Sequence, residues 1–429
     1  MIFEKQKQII EFANKFTLNN QNIYSEARSY FAIFEKTLGY FLIKKKFNKF
    51  YFFHYALCLI KLFLNIKEVK LKISNAQFVA KNYRKIIVSW AFRDNFDQKG
   101  IYKDKFLNTK SDNDENNILW LLIYMDKELP ARVGKNIVLI HKEKKLYQKL
   151  TFFFKYFFST LKLKSFSSSI KKLNLLSATS IQMKKILEKN FRDISVQNLL
   201  VVYEGQPFQK EIINFFKNKN KKILIEGYDH SAPPPLPINL IYDDSSPDYL
   251  LITGEAQKNF YKKYLNWPEN KLKIIKSMRF ISNKSEFYQN KFFLPYELRD
   301  QNIIFSSIKY LLDHKINLKD MNIKIHPLQK NKKNHLSLVS KIKKIISTNL
   351  NDSLDSEQNN SIFFGQTTAV IIALDLGVTC YHICSDPVFD SYDSKIWEQI
   401  NVTKLSNNLF KYTTHKKNSF LGNGKIYEI

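Results

Sequence analysis

Between residues 198 and 280, short apolar runs alternate with stretches of helical spacing, and each run stops at a cluster of polar residues. Residues 199–203 (LLVVY) stop at Glu204-Gly205-Gln206-Pro207, and residues 208–217 then carry apolar side chains at helical intervals. Residues 223–225 stop at Glu226-Gly227-Tyr228-Asp229-His230, and residues 249–252 stop at Thr253-Gly254-Glu255. Runs this short and apolar, separated by helices, predict a parallel sheet covered on both faces. Residues 231–237 (SAPPPLP) can be neither helix nor inner strand. Ligands of such sheets bind beyond the carboxyl ends of the strands. Glu204, Gln206, Glu226, Asp229, His230 and Thr253 collect there, so this edge is expected to be half of an active site.

A second alternation follows. Residues 281–296 read as a polar linker containing Pro295. Residues 303–305, 323–325, 362–364 and 378–383 read as strands, the last of them the final strand of the chain. Residues 308–317, 335–346 and 369–376 read as helices, with Gly377 as a C-cap. Upstream, 86–90, 118–125 and 136–140 read as strands, 183–190 as a helix, and residues 1–80 as largely helical. The expected class is α/β, with two Rossmann-like domains facing a cleft and extra N-terminal helices. Residues 1–280 form the N-terminal domain and 285–429 the C-terminal one, with the tail from Leu405 packing back across the first.

The chain has 429 residues, 68 of them Lys or Arg against 39 Asp or Glu, a formal charge of +29. Only seven are arginine, the side chain that forks onto bases and phosphates, and no nucleic-acid readout motif is present. The charge points instead to an anionic lipid surface, a nucleotide or a polyanionic glycan. Two basic, aromatic stretches, 52–64 and 146–163, read either as core helices or as helices lying in the headgroup region. No stretch reaches the roughly 18 uninterrupted apolar residues of a spanning helix. Cys58, Cys380 and Cys384 lack the partners of a zinc site and read as buried thiols of a reducing compartment. Asp243-Asp244 and Asp386, Asp390 and Asp393 read as solvated loops, so no metal site is expected. The N-terminus carries no signal-peptide pattern, which places the protein in the cytoplasm, with peripheral attachment to the inner face of the membrane as the expectation from the basic stretches.

His326-Pro327 ends one strand of the second alternation, and Gly365-Gln366-Thr367-Thr368 joins the next strand to a helix. A helix start offers free N–H groups, two hydroxyls can donate to phosphate oxygens, and a proline fixes the exit of the strand beside the imidazole. Thr367-Thr368 reads equally as a plain N-cap. This pattern resembles the nucleotide-binding half of GT-B glycosyltransferases, of the bacterial sialyltransferase and polysialyltransferase type and the teichoic acid polymerase type. The resemblance implies that His326, Pro327, Thr367 and Thr368 hold a donor phosphate, with Gly365 letting the backbone approach it. Tyr203-Glu204-Gly205-Gln206-Pro207-Phe208, followed by Gly227-Tyr228-Asp229-His230-Ser231, resembles the surface carbohydrate biosynthesis proteins of bacterial O-antigen clusters. Phe208 stands where that pattern favours tryptophan, and Asp229 replaces a glutamine. The match extends through Thr253-Gly254-Glu255 and weakly to Arg279-Phe280.

A sugar transferase needs a base for the acceptor hydroxyl, groups that stabilise the leaving phosphate, and a dry cleft. The base is expected from His230 first, Glu204 second and Glu226 third, since an imidazole titrates near neutrality. Together these readings imply an inverting, metal-independent glycosyltransferase of surface polysaccharide synthesis. It has no cofactor, a nucleotide-sugar donor (a CMP-linked acidic sugar favoured) and a glycan or lipid-linked acceptor. The alternative is a non-catalytic, membrane-surface polysaccharide-binding protein that keeps the fold. If residues 146–163 dock on lipid, the protein will sediment with anionic vesicles and come off in salt, because lysine attraction is screened. Replacing Phe153 and Phe157 by serine should then weaken sedimentation while the thermal melt is unchanged. Loss of folding instead makes the stretch core.

Overall fold

A computed structural model describes residues 2–19, 69–74, 82–114, 116–144, 175–280, 285–295, 298, 301–318, 321–326, 329–348, 359–365, 367–415, 419–422 and 424–429. The stretches 52–64 and 146–163 lie outside these residues, as does Pro327. Among the described residues no helix is long and apolar enough to cross a membrane.

Helix α1 (Ile2–Asn19) is followed by β1 (Val69–Ser74), β2 (Asn82–Ala91), a small hairpin of β3 (Lys103–Asp104) and β4 (Thr109–Lys110), β5 (Ile118–Tyr124) and β6 (Ile137–Lys144). Then come α2 (Leu175–Asn190), β7 (Ser195–Val202), α3 (Pro207–Lys219), β8 (Leu224–Tyr228), β9 (Tyr249–Ile252), α4 (Glu255–Tyr264) and β10 (Leu272–Ile274). These strands form one sheet in the order β1-β6-β5-β2-β7-β8-β9-β10, parallel except for β1, with β3 and β4 apart. Every residue of β5 is buried. Side chains alternate between two cores: Ile86, Leu119, Leu121, Leu199 and Val201 face α2 and α3, while Ile87, Trp120, Leu122, Leu200 and Val202 face the other way. That second face is packed by Tyr102 and Leu107 of the β2–β5 connection and by Tyr427 and Ile429.

The second sheet contains β11 (Lys291–Phe293), β12 (Asn322–Lys324), β13 (Asn360–Phe364), β14 (Thr379–Ile383), β15 (Ile400–Lys404) and β16 (Leu409–Thr414), in the order β12-β11-β13-β14-β16-β15. The first four are parallel; β15 and β16 add as an antiparallel pair. Helices α5 (Gln301–Asp313) and α6 (Lys333–Thr348) cover one face, and α7 (Ala369–Asp375) packs on the other. A single turn, α8 (Pro387–Asp390), follows β14.

Several sequence expectations are corrected here. Residues 303–305 are helix, not strand: Ile304, Ser307, Ile308 and Leu311 are buried at helical spacing, which the three-residue apolar run concealed. The first strand of the second sheet is instead β11, inside the stretch read as linker. Val69–Ser74 is a strand within a stretch read as helical, as its Val-Lys-Leu-Lys-Ile alternation requires. Residues 378–383 are not the last strand, because β15 and β16 extend the sheet. The tail therefore leaves the second sheet only after Thr414.

The two sheets share one core. Phe260 of α4 stacks on Trp397 at 4.5 Å, and the Trp397 and Tyr392 side chains donate to the carbonyls of Pro235 and Pro233. Helix α1 lies across this junction: Gln6 donates to the carbonyls of Val388 and Ser391, and Asn14 to that of Tyr264. The tail returns to the first sheet. Ile275 pairs with Lys425, Thr253 Oγ1 lies 2.8 Å from the Phe420 carbonyl oxygen, and the Asp375 carboxylate accepts from the N–H of Phe420 and Leu421. Backbone meets backbone here: a Cβ on Gly254 would stand 2.2 Å from the Ser419 carbonyl oxygen. Gly254→Ala should therefore displace the tail. The expected readouts are a melting temperature lowered by several degrees and C-terminal proteolysis that wild type resists.

Candidate functional site

In the first sheet the chain runs outward from β2 through β5 to β6 and then returns to form β7 on the other side of β2. The second sheet reverses in the same way at β11, which is flanked by β12 and β13. Such reversals open crevices at the carboxyl ends of the strands. Glu204 follows β7 at the first crevice; Pro295 and Gly365 follow β11 and β13 at the second.

The Glu204 backbone is held on several sides. Gln209 Oε1 accepts from the N–H of Glu204 and of Gln206 at 2.9 and 3.1 Å, and Gln209 Nε2 donates to the Val202 carbonyl at 2.7 Å. Pro207 opens α3 at its first turn, where a missing N–H costs nothing. Gly205 has φ +66°, and a Cβ on it would lie 2.1 Å from the Asn239 carbonyl oxygen. The Asn239 side chain in turn donates to the Glu204 carbonyl. The Glu204 carboxyl accepts from Gln206 Nε2 at 3.5 Å, and its side chain is 34% exposed.

His230 lies behind it, with only 4% of its side chain exposed. Its Nε2 is 3.5 Å from Glu204 Oε1, and its ring meets the edge of Phe106 at 4.4 Å. Its Nδ1 is buried with no hydrogen-bond partner among the described residues. Burial, reinforced by the Arg279 charge, pushes the imidazole down to about 3, so it is neutral at physiological pH. Burial raises the Glu204 carboxyl, against the opposing effects of Gln206 and Arg279. The neighbouring Asp229 is buried and accepts from the Tyr261 hydroxyl at 2.5 Å; desolvation drives it up to about 7. A carboxyl poised above its ordinary range and backed by a neutral imidazole can take up a proton.

Phe106 and Arg279 complete this cluster. Asp104, itself buried, accepts from the N–H of Phe106 and Leu107 at 2.7 Å each and from the Tyr102 hydroxyl at 2.8 Å, which fixes the hairpin that presents Phe106. The Arg279 guanidinium lies 5.2 Å from the Phe106 ring and 5.2 Å from that of Phe280. Sequence reading did not single out Phe106. Its signal was Asp104 two residues earlier, a turn-forming acid before an aromatic.

Glu226 does not reach the sheet edge. Strand β8 runs on to Tyr228, and Glu226 lies inside it, accepting from the Tyr427 hydroxyl with Lys273 3.5 Å away. Its carboxylate anchors the tail. Thr253 likewise spends its hydroxyl on the tail and on Gln257. Asp243 and Asp390 are buried rather than solvated. Asp243 pairs with Lys210 at 2.5 Å, and Asp390 accepts from the Asp386 N–H at 2.9 Å. Among the described residues no group of three or more His, Cys, Asp or Glu side chains is placed to hold a metal ion.

At the second crevice Gly365 has φ +67°, and a Cβ there would meet the Pro295 ring at 3.5 Å. His382 Nε2 donates to the Gly365 carbonyl at 2.7 Å, and the Pro295 carbonyl receives His335 Nε2 at 3.1 Å. His326 is half-buried, and burial followed by His335 lowers its imidazole. Thr367 Oγ1 accepts from the Ala369 N–H at 3.3 Å, while Thr368, the N-cap residue of α7, makes no side-chain capping bond. His326 and the threonines end strands of one sheet, but those strands are not neighbours: β11 separates them. Tyr288, which feels the Arg279 charge, stacks on Phe293, itself stacked on Phe363 at 4.8 Å.

No protein-family model matches the chain, and no curated protein does. Among solved structures it is similar to an alpha,alpha-trehalose 6-phosphate synthase from Burkholderia multivorans (TM-score 0.33, 9% identity, 68% of this chain and 76% of that one). It is also similar to the UDP-forming alpha,alpha-trehalose-phosphate synthase of Burkholderia vietnamiensis (0.32, 9%, 65% and 77%). A third is the wall teichoic acid polymerase TagF (0.32, 10%, 76% and 76%). Overlap this loose transfers neither residues nor activity.

The buried pair Asp229 and His230 has opposite linkage to pH. Between about 4 and 7 native Asp229 holds a proton that the unfolded chain lacks, so its contribution falls as pH rises. Between about 3 and 6.5 the unfolded chain binds a proton that native His230 refuses, so that contribution rises. Urea midpoints at pH 4.5, 5.5 and 6.5 should rise more steeply with pH in Asp229→Asn than in wild type, and less steeply in His230→Asn. The slope changes approach ~1.4 kcal/mol per pH unit. Parallel curves for all three proteins would contradict this burial.

Proposed function

We propose that the chain is a glycosyltransferase of bacterial surface polysaccharide synthesis, GT-B-like in arrangement, acting on a nucleotide-activated sugar and a glycan or lipid-linked acceptor. The observation that carries the reading is the Glu204–His230 pair at the crevice of the first sheet. A second crevice carries Gly365 with His326, Thr367 and Thr368. The motif resemblances assign the first to acceptor chemistry and the second to the donor phosphate.

Exposure reverses the order of the candidate bases. Glu204 is the reachable group, and a raised carboxyl pKa suits a base working near neutrality. His230 stands behind it as a positioning residue. The leaving phosphate is neutralised by His326, Thr367 and Thr368, which would make the proposed transfer metal-independent, and direct attack by an acceptor hydroxyl activated by Glu204 would make it inverting. A CMP-linked acidic sugar is the favoured donor, and the basic stretches 52–64 and 146–163 would hold the enzyme on the inner face of the membrane.

The test is incubation of pure protein with a panel of CMP-, UDP- and GDP-sugars, following released nucleotide. Glu204→Gln should lower turnover by about 10²–10⁴-fold and leave nucleotide binding intact. His326→Ala should weaken nucleotide binding by ten-fold or more, the loss of one charge-assisted hydrogen bond. The acidic limb of the pH–rate profile should lie above the ordinary carboxylate range, because Glu204 must ionise to act. Nucleotide binding without turnover by any donor would favour the non-catalytic polysaccharide-binding reading.

A further inference from the structure

Arg279 is exposed at the mouth of the Glu204–His230 crevice, and the way it is held is unusual for a surface arginine. Two rings, Phe106 and Phe280, each 5.2 Å from the guanidinium carbon, hold it. Among the described residues its guanidinium makes no ion pair within 4 Å and no side-chain hydrogen bond; Tyr228, Glu204 and Tyr288 are its electrostatic neighbours. Ring contact fixes the plane of a guanidinium without spending any N–H, so the fork is ordered in advance with its donors unfilled. The ring that orders it is itself fixed, because Asp104 pins the backbone at Phe106 and Leu107. The same ring touches His230, whose Nδ1 is buried without a partner among the described residues. Unfilled donors and an unfilled ring nitrogen thus meet at one aromatic side chain.

We infer that Arg279 reads an oxyanion on the saccharide entering the Glu204–His230 crevice, so that the ligand of the first sheet is an acidic sugar, carboxylated or phosphorylated, and not a neutral one. Planar carboxylate and tetrahedral phosphate both accept two parallel N–H bonds from such a fork. The inference rests on reading this crevice as a saccharide site.

The full chain is titrated in 150 mM salt, by saturation-transfer NMR, with glucuronate, N-acetylneuraminate, glucose 6-phosphate, glucose and the methyl ester of N-acetylneuraminate. The acidic sugars should bind and the two neutral ones should bind at least ten-fold more weakly. The carboxylate and phosphate members show which oxyanion is preferred. Arg279→Gln should abolish that difference. Arg279→Lys, which keeps the charge and loses the fork, should recover only part of it. Phe106→Leu, which frees the guanidinium, should weaken acidic-sugar binding several-fold. Lys276→Gln removes one exposed charge three residues away and should change nothing, which separates a built site from attraction to a chain of charge +29. Equal binding of acidic and neutral sugars, binding indifferent to Arg279→Gln, or no binding of any acidic member overturns the inference. Arg279-dependent binding without nucleotide release from any donor would remove the transferase reading and leave this one standing. Turnover with neutral sugars unaffected by Arg279→Gln would do the reverse.

Discussion

A parallel strand covered on both faces can keep an unpartnered polar side chain only at its ends. The first sheet obeys this, and its crevice follows from it. Glu204, Asp229 and His230 all come just after the last residue of a strand, where the backbone turns away and the two covering layers part. Glu226 is the exception that tests the constraint. It lies inside β8, and the Tyr427 hydroxyl and Lys273 are brought to it. A carboxylate within such a sheet is tolerated when something distant arrives to satisfy it.

The crevice then works by contrast. Three ionisable groups at two neighbouring strand ends are pushed in different directions by the same burial. Carboxyls are raised because their charged form is the deprotonated one, and the imidazole is lowered because its charged form is the protonated one. Near neutrality His230 is therefore neutral and Asp229 is only partly ionised, and the Phe106 ring and the Tyr261 hydroxyl pack against them. Glu204 differs from them in exposure more than in chemistry. That difference makes it the group an entering ligand would touch.

Much of this was legible in the sequence. Strand β9 coincides with the apolar run at 249–252, and the polar strand ends of the first sheet were visible as breaks in apolar runs. Position along a strand was harder. Gly227 and Tyr228 look like a turn, yet they continue β8, because Gly227 packs against Pro247 and Tyr203 with no room for a Cβ. That extension moved Glu226 out of the candidate site. Strand β11 was hidden because three residues between two other strands need no pattern of their own when those neighbours supply both ladders. Its insertion between β12 and β13 separates His326 from Thr367, which adjacency in sequence could not reveal. Phe106 and Arg279 lie 173 positions apart, and only the fold brings them together.

The returning tail has a consequence for the order of assembly. Glu226 meets Tyr427 across 201 residues, and Thr253 meets Phe420 across 167. The ladders on either side of the β2–β7 seam join strands closer in sequence, whereas the seam itself pairs Asn82 with Ser195, and the β9–β10 margin is finished only by a segment that must first pass through the second sheet. Loop closure over such separations makes this a late and slow step. A newly made chain would therefore hold its crevice strands in place while Thr253, Gly254 and Ile275 still wait for their covering backbone, and that margin is where a chaperone or a protease would find the immature protein.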